Sequence, residues 1–468
     1  MRSESAGSDV WGGLAASLVA LPSALAFGVT VYGPLGPDWA GAGAMAGLVG
    51  AGLLGLIAPL TNGAPRLITA PCAPAAAVMG ALAATLAAKG FGPGRVVALL
   101  GLTSLLSAGF QLGFGLLRGG RLIKFIPYPV VTGYLSGVAI IIFLAQCPKL
   151  LGVPAGAGLW KALAAPGTWN VAGAGVGVAA MAAMVFGPRF VKSLPGPILG
   201  LGGGLAAYGL CAVFDPALRA LEGNTLVVGA LSAGGGGAGL TERLKGFLDV
   251  TAADLPLILN PAMTLAVLLS IDTLKTCVVV DALTKSRHDS DRTLLGQGAA
   301  NVVCALAGGI PGAGTMGATL VNVTGGGTTK LSGILCGAFS LAAFLLLARL
   351  IAWVPTPALA GILLVVAARM YDRKSFRLLR RRSTLTDFAV GTAVVVVAVG
   401  TGLIAAAGVG LALSIVLFIH DQIQASVIRR RSDGTTTFSR RRHTPEERAA
   451  LERLGAKTAV CELQGNLF

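Results

Sequence analysis

The sequence predicts an all-α polytopic membrane protein with about 14 transmembrane segments in a 7+7 inverted repeat. Hydrophobic residues make up 54% of the 468-residue chain and charged residues only 12%, which is too little polar surface for a soluble protein of this length. Two short stretches rich in Gly and Pro, 69–74 and 308–314, interrupt apolar runs at matching places in the two halves. Transporters built from inverted repeats place such broken helices, two half-helices meeting at mid-membrane, at their substrate sites.

The apolar runs fall into two groups of spans, because each bilayer crossing needs roughly 20 apolar residues. The first group is predicted at residues 11–32, 41–60, 68–88, 95–117, 126–146, 171–187 and 195–214. After a more polar stretch, the second group is predicted at 259–283, 294–308, 311–323, 330–351, 356–370, 385–400 and 404–424. An odd number of spans in each half makes the halves antiparallel, as an inverted repeat requires.

Basic residues fall mainly in alternate short loops, as the positive-inside rule expects for a cytoplasmic N-terminus. The densest cluster, from Arg369 to Arg382, follows the twelfth predicted span. The formal net charge is +16, but because Lys and Arg fall mainly in such loops, the expected surroundings are a lipid bilayer and no nucleic acid is expected. We predict an integral membrane protein of the bacterial inner or plasma membrane type, with cytoplasmic N- and C-termini, and we expect a homodimer.

The composition changes after residue 425, where the chain becomes polar and basic. Residues 1–425 are predicted to form the transmembrane transport domain and residues 426–455 a cytoplasmic basic linker, with a short helix from Pro445 to Leu454. Residues 456–468 include alternating apolar and polar positions, typical of a strand, and then stop without a partner for it. We therefore expect the chain to be cut at the start of a second domain.

Side chains for catalysis or metal binding are scarce in this sequence. The three histidines fall at predicted membrane edges or in the tail, and the seven cysteines form no C-x-x-C pair. No metal site and no cofactor are predicted, since the ligands for one are lacking. A nucleophile, a base and an orienting group do not occur together, so the sequence does not indicate an enzyme.

Asp272 and Lys275 interrupt the apolar run of the eighth span. A charge at this depth is costly, so such residues indicate a functional site. On a helix, Asp272, Lys275 and Thr276 stand at i, i+3 and i+4 and share one face. One interpretation is an ion pair that only joins helices. The other is a carboxylate that takes Na⁺ or H⁺ beside a cation that balances an anionic substrate.

The two broken stretches indicate an anion site. If helices restart near Pro74 and Gly314 and face each other, their N-terminal amides and dipoles create a positive focus without any cationic side chain. The alternative is that the Gly and Pro residues only allow kinks and close packing, which is common in membrane helices.

Several motifs in this chain resemble the SulP family of sulfate-permease-type anion transporters over essentially the whole membrane region. Residues 19–27 resemble the family's first-span motif, with Ser23 where Gln is common, and residues 125–137 followed by Gln146 resemble its fifth-span motif. The segment around the family's tenth span is matched by residues 291–301, 308–314, Asn322 and 326–333.

The resemblance implies a core domain, spans one to four and eight to eleven, that moves against a gate domain, spans five to seven and twelve to fourteen. It also implies a cytoplasmic STAS domain, whose truncated start residues 456–468 would be. Asp272 with Thr276 resembles the sodium-site pair of sodium-coupled bicarbonate members, although Cys72 stands where those members have a Thr ligand. Many members carry an Arg where this chain has Ala318, and we hypothesise that Lys275 supplies the missing charge.

We therefore predict a secondary-active transporter of a small inorganic or carboxylate anion, such as bicarbonate or sulfate, that works by alternating access. The predicted substrate-binding residues are Ser23, Phe27, Cys72, Ala73, Ala75, Lys275, Gly314, Thr315, Met316 and Ala318. The predicted coupling-ion residues are Asp272, Thr276, Cys72 and Gly314. Two alternatives are an uncoupled anion channel and a nucleobase carrier of the same fold. Such carriers usually bind the base through acidic residues of the eighth and tenth spans, and residues 315–319 contain no carboxylate.

Overall fold

The computed structural model divides the chain into two compact units, residues 1–410 and 411–468. It describes residues 2–61, 63–120, 128–153, 159–191, 194–221, 224–229, 245–247, 250–371, 385–401, 428–434 and 444–463, with a few single or paired positions between 405 and 437. The described residues of the first unit are mainly helical, with two three-residue strands and short 3₁₀ turns, and those of the second include two strands and a helix.

The first half of the large unit contains eight described helices and one strand. The helices are α1 Arg2–Tyr32, α2 Ala40–Thr61, α3 Ala73–Ala88, α4 Pro93–Leu116, α5 Tyr128–Leu150, α6 Leu159–Ala164, α7 Val171–Phe190 and α8 Gly196–Phe214, and strand β1 is Thr69–Pro71. Proline occupies one of the first two positions of α3, α4 and α8, where its missing N–H costs no intrahelical hydrogen bond.

The second half repeats this order with its own interrupted helix. The helices are α9 Leu255–Thr284, α10 Ser290–Leu306, α11 Met316–Thr324, α12 Lys330–Ile351, α13 Thr356–Met370 and α14 Leu385–Gly400, and strand β2 is Gly312–Gly314. Each predicted span from the first to the thirteenth coincides with one of these helices. The fourteenth, residues 404–424, falls largely outside the described residues. Among the described helices, 7 are long and apolar enough to cross a membrane, and shorter apolar helices accompany them.

The helices pack in two groups. In one group α1 packs on α2, α11 and α12, while α4 packs on α9 and α10. In the other group α5 packs on α13 and α14, and α7 packs on α8 and α13. The division into a core and a gate that the family resemblance implies stays a prediction. We call α1–α4 and α9–α12 the core helices, and α5, α7, α8, α13 and α14 the gate helices.

Strands β1 and β2 pair antiparallel inside the core. The register sets Thr69 opposite Gly314, Ala70 opposite Ala313 and Pro71 opposite Gly312. Because the strands are antiparallel, the half-helices that follow them, α3 and α11, leave the pair in opposite directions. This is the geometry that an inverted repeat produces, and it confirms the predicted meeting of two half-helices.

The small unit corrects one prediction. Strand β4, Ala459–Leu463, pairs antiparallel with strand β3, Ile428–Asp433, so the prediction that the terminal strand lacks a partner is wrong. Its partner lies in the basic segment that we interpreted as linker. The basic composition marks a solvent-exposed segment, and Arg431 is exposed, but an exposed row of side chains does not exclude a strand. The predicted short helix is confirmed as α15, Pro445–Gly455.

Candidate functional site

Both half-helices begin with uncapped N-termini beside the strand pair. Cys72 is the N-cap of α3 and Thr315 is the N-cap of α11, and neither makes a side-chain capping hydrogen bond. The first N–H groups of a helix lack partners within it, and the helix dipole adds partial positive charge at this end. The pairing of β1 with β2 therefore brings two positive helix ends to one place.

Gly312 allows the two strands to come this close. A Cβ at this position would lie 2.2 Å from the carbonyl oxygen of Ala70 on the facing strand. The ladder continues beyond β2, since the Thr315 N–H donates to the Ile68 carbonyl at 2.9 Å. A larger residue at position 312 would push the half-helices apart.

The predicted site residues of the first half lie at the start of α3. Cys72 is 3% exposed, and α3 packs on α9, the helix that carries Asp272 and Lys275. Ala73 and Ala75 are buried in the first turn of the helix. The structure therefore brings the α3 N-terminus together with the charged pair of α9.

Asp272, Lys275 and Thr276 form a connected cluster on α9. The Lys275 Nζ donates to the Asp272 Oδ1 at 2.7 Å, with side-chain exposures of 34% for Lys275 and 14% for Asp272. The Thr276 hydroxyl donates to the backbone carbonyl of Asp272 at 2.9 Å. The ion pair that the spacing predicts is thus formed, and its lysine is the more open partner.

The start of α11 has one open face and one closed face. Thr315 and Met316 are half-buried, and Gly317 is exposed with no atom within 4 Å of the position that a Cβ would occupy. Ala318 instead is 2% exposed and packs in an apolar cluster with Ala residues of α1. Its methyl group faces this cluster, and its predicted contact with substrate stays a prediction. Gly317, which lies outside the predicted set of site residues, is on the open face of α11.

The two predicted residues of α1 differ in their surroundings. Ser23 is half-buried, and its hydroxyl donates to the Val19 carbonyl of the same helix at 3.3 Å. Phe27 is 4% exposed. Helix α1 packs against α3 and α11, so both residues belong to the same group of helices as the broken segments, and their role as cavity-lining residues stays a prediction.

Four buried polar side chains outside the predicted site hold the strands in place. Thr273 Oγ1 accepts from the Gly314 N–H at 3.0 Å, and Thr319 Oγ1 accepts from the N–H of the residue before β1 at 3.1 Å. Gln297 and Asn301 of α10 reach β1 and β2. Their signal in the sequence is polar residues at helical spacing within apolar spans, which alone does not say what they contact.

The described residues hold no group of three or more His, Cys, Asp or Glu side chains placed to bind a metal ion. A Na⁺ site here would instead use oxygen atoms of Asp272, Thr276 and the backbone, which are hard ligands of the kind that small cations prefer. The thiol of Cys72 is a soft ligand and fits such a site poorly.

Two inverted halves, whose interrupted helices meet at an antiparallel strand pair beside an intramembrane charged pair, define a membrane transport protein. The sequence comparison makes the assignment specific. The sulfate permease family model matches residues 7–394, and the chain belongs to this family. The family resemblance of the motifs is thereby confirmed, and the chain is a transporter rather than an enzyme.

Similar proteins include both bicarbonate and sulfate transporters. The bicarbonate transporter BicA of Picosynechococcus is 31% identical, over 98% of this chain and 78% of the relative. The putative sulfate transporter YvdB of Bacillus subtilis is 28% identical, over 71% of this chain and 63% of the relative. Among solved structures, the transmembrane domain of a cyanobacterial BicA matches with a TM-score of 0.70 and 32% identity, over 86% of this chain and 97% of that one.

Proposed function

We propose that the protein is a secondary-active transporter of a small inorganic anion, bicarbonate, sulfate or a similar ion. The observation that carries this proposal is the strand pair that joins the uncapped N-termini of α3 and α11, which pack on α9, the helix of Lys275. Backbone N–H groups and helix dipoles bind an anion with little desolvation cost, because they are already fixed in place. The open space at Gly317 gives the anion room.

Lys275 supplies the mobile positive charge of the proposed site. An ammonium has three N–H donors, and one of them serves the Asp272 carboxylate. The other donors make no hydrogen bond to the part of the chain that the structure describes, so they can bind an anion, and the 34% exposure of the side chain allows the ammonium to turn toward it. Ala318 packs in an apolar cluster and carries no charge, so in this proposal Lys275 supplies the positive charge that an Arg provides in many members of the family.

Asp272 is the proposed coupling residue. Its Oδ1 accepts from Lys275, while its Oδ2 makes no hydrogen bond to the described part of the chain. That oxygen, together with the Thr276 hydroxyl oxygen, is available to Na⁺, or the carboxylate can take a proton. Either cation offsets the carboxylate charge and leaves Lys275 freer to bind the anion. Coupling and anion binding would then be linked through one ion pair.

Transport would proceed by alternating access, with the core helices moving against the gate helices. The Gln146 amide of α5 donates to the Thr30 hydroxyl of α1 at 3.2 Å, so the two groups touch through a polar contact near one end of α1. A contact of this kind must break when that end opens.

We also propose that the termini are cytoplasmic in a bacterial inner membrane and that the protein is a homodimer. Cys461 of β4 is exposed, whereas the other cysteines are buried or half-buried. A membrane-impermeant maleimide should therefore label Cys461 in inverted membrane vesicles but not in intact cells, with Cys461→Ser as control. Labelling in intact cells would reverse the proposed topology. Chemical crosslinking in membranes tests the dimer.

Uptake into proteoliposomes tests the transport proposal. We expect saturable, concentrative uptake of at least one anion from a panel of bicarbonate, sulfate, nitrate, chloride and dicarboxylates under an imposed Na⁺ or H⁺ gradient. Flux that does not saturate and cannot concentrate the anion would identify a channel instead. Asp272→Asn should abolish the gradient dependence, and gradient dependence that survives this change would exclude Asp272 as the coupling residue.

Lys275→Gln should raise the KM for the anion about tenfold or more, since a charge-assisted interaction in a site of low dielectric is lost. This change also leaves Asp272 without its cation, so the double variant Asp272→Asn, Lys275→Gln separates the two effects. Arg189→Gln is the matched control, because Arg189 lies over the Phe186 ring of α7 at the surface of the gate helices. An unchanged KM in both Lys275 variants would remove Lys275 from the site.

A further inference from the structure

Two amide side chains of α10, one helical turn apart, form hydrogen bonds to the two paired strands, β1 and β2. Gln297 Nε2 donates to the Thr69 Oγ1 of β1 at 2.7 Å. Asn301 contacts β2 through both of its polar atoms, since its Nδ2 donates to the Gly312 carbonyl at 3.0 Å and its Oδ1 accepts from the Gly312 N–H at 2.9 Å. A single rigid helix therefore touches β1 and β2 at two fixed points.

Asn301 completes the hydrogen bonding of β2 as a neighbouring strand would. The Thr315 N–H donates to the Ile68 carbonyl. The alternation of an antiparallel ladder therefore makes Gly312 and Pro71 a pair without mutual hydrogen bonds, and the Gly312 N–H and carbonyl face away from β1. The Gly312 carbonyl is buried, and a buried carbonyl left without a donor costs free energy. The side-chain amide of Asn301 has a donor and an acceptor with the spacing of a peptide group, so it satisfies both Gly312 groups at once.

A third helix fixes the orientation of this amide. The second Nδ2 hydrogen of Asn301 goes to the Gln111 Oε1 of α4 at 2.8 Å. All three amide side chains are 0% exposed, those of Gln111, Gln297 and Asn301. Bulk water therefore cannot replace a hydrogen-bond partner that is lost. Hydrogen bonds in such a network support one another, and the loss of one member costs more than an exposed bond would.

We propose that Gln297 and Asn301 are positioning residues of the anion site, which set the separation between the N-termini of α3 and α11. Thr69 is three residues before the N-cap of α3, and Gly312 is three residues before the N-cap of α11. Because α10 binds both residues, it also fixes the distance between the two positive helix ends. An anion bound between the ends then meets donors at a fixed spacing, which sets its affinity and the size of anion preferred. The proposal rests on the proposed anion transport.

We call the hydrogen bonds from Gln297 and Asn301 to β1 and β2 the clamp, and we expect its loss to change the transport kinetics in a specific pattern. Asn301→Leu, which keeps a similar volume but removes all three hydrogen bonds, should raise the KM for the anion about tenfold or more and reduce discrimination between small and large anions. The maximal rate per folded transporter should change much less. Thr69→Val, which removes the hydroxyl that Gln297 contacts, should raise the KM by a smaller factor. Thr69→Ser restores that hydroxyl and should behave as the wild type.

Asn322→Leu is the matched control. Asn322 is also 0% exposed, and its Nδ2 donates to the Arg66 carbonyl at 3.0 Å and to the Ser332 hydroxyl at 2.9 Å, neither of which belongs to β1 or β2. We expect its loss to lower the thermal midpoint while leaving the KM and the anion selectivity unchanged.

The experiment is uptake into proteoliposomes over a range of anion concentrations, with thermal midpoints measured in parallel on the same full-length proteins. A KM that rises in Asn301→Leu and Thr69→Val, but not in Thr69→Ser or Asn322→Leu, supports the clamp. Unchanged KM and selectivity in both loss variants, or an equal rise in Asn322→Leu, overturns it. A wild-type protein that takes up none of the tested anions would instead reject the proposed function, which separates the two failures.

Discussion

The core helices and the gate helices solve the same problem of backbone polarity in different ways. The buried polar side chains of the described core helices include Gln111, Thr273, Gln297, Asn301 and Thr319, whereas those of the described gate helices are Thr132, Ser136 and Gln146 of α5 and Tyr208 of α8. The core contains two interruptions of the helical hydrogen-bond ladder, and backbone freed inside a bilayer must find partners within the protein. The described gate helices contain no strand interruption, so most of their backbone hydrogen bonds form within each helix.

This difference shows where the molecule needs accuracy. In the core, side-chain hydrogen bonds tie β1 and β2 to α9, α10 and α11, so a substitution there changes the position of backbone that we assign to the anion site. The gate helices α7 and α8 present large apolar side chains to lipid, among them Phe186, Phe190, Leu210 and Phe214.

The strongest test of this contrast is a pair of glycine substitutions. Gly312→Ala would place a Cβ 2.2 Å from the Ala70 oxygen in the core, and overpacking against backbone costs on the order of 3 kcal/mol or more. Gly209 of gate helix α8 has no atom within 4 Å of the position that a Cβ would occupy, and Ala is the better helix former by about 1 kcal/mol. We therefore expect Gly312→Ala to lose most folded protein and Gly209→Ala to lose none.

Fluorescence-detected size-exclusion chromatography and thermal midpoints on both variants measure this difference. A Gly312→Ala protein that folds and transports normally would show that β1 and β2 can lie further apart than they do in the structure.

A smaller effect is expected at the contact between the two groups of helices. Gln146→Leu removes the hydrogen bond from α5 to Thr30 of α1, which in our account forms and breaks during each transport cycle. A bond of this kind contributes about 1 kcal/mol, so the maximal rate should change by about two- to tenfold while the KM stays the same. Transport rates at saturating anion test this. A raised KM with an unchanged rate would place Gln146 at the anion site instead.

The smallest effect is expected at the edge of the core, where Arg95 and Asp254 join the start of α4 to the segment before α9 at 2.8 Å. The Arg95 hydrogen bond holds the pKa of the Asp254 carboxyl below its usual value. A carboxyl with a depressed folded-state pKa stabilises the protein above its unfolded pKa of about 4 and loses this contribution as the pH falls through the folded value.

Arg95→Gln should therefore lower the thermal midpoint slightly at neutral pH and leave a weaker dependence on pH below about 4. Because Arg95 is 49% exposed, solvent screening keeps the effect small. Thermal midpoints of both proteins from pH 3 to 7 measure it, and identical pH profiles would mean that the pair contributes nothing to stability.

Much of the fold follows from the sequence because hydropathy determines where a chain can cross a bilayer. The two broken segments were recognisable as well, since Gly and Pro at matching depths are unusual. The spacing of Asp272, Lys275 and Thr276 on one helix was enough to predict their cluster. Strand β3 was not recognisable, because its Arg-rich composition is equally typical of a linker.

The partners of the buried amides also lay beyond sequence reasoning. Asn301 contacts Gly312 because α10 packs beside the β1–β2 pair. Gln111 contacts Asn301 from α4, 190 residues earlier in the chain. The side to which Ala318 points depends on the rotation of α11, which a helix of nine residues does not reveal through periodicity. Tertiary contacts of this kind decide the difference between Gly317, which is open, and Ala318, which is closed.

Binding of a small anion at the N-termini of α3 and α11 can be measured through the anion-dependent thermal stability of the wild type and of Gly317→Val. A ligand that binds the folded state raises its stability in proportion to the logarithm of its concentration above the dissociation constant. Because no atom lies within 4 Å of a Cβ at Gly317, the variant should fold as well as the wild type without anion. We predict that the transported anion raises the midpoint of the wild type and not that of Gly317→Val. An equal rise in both proteins would contradict the account.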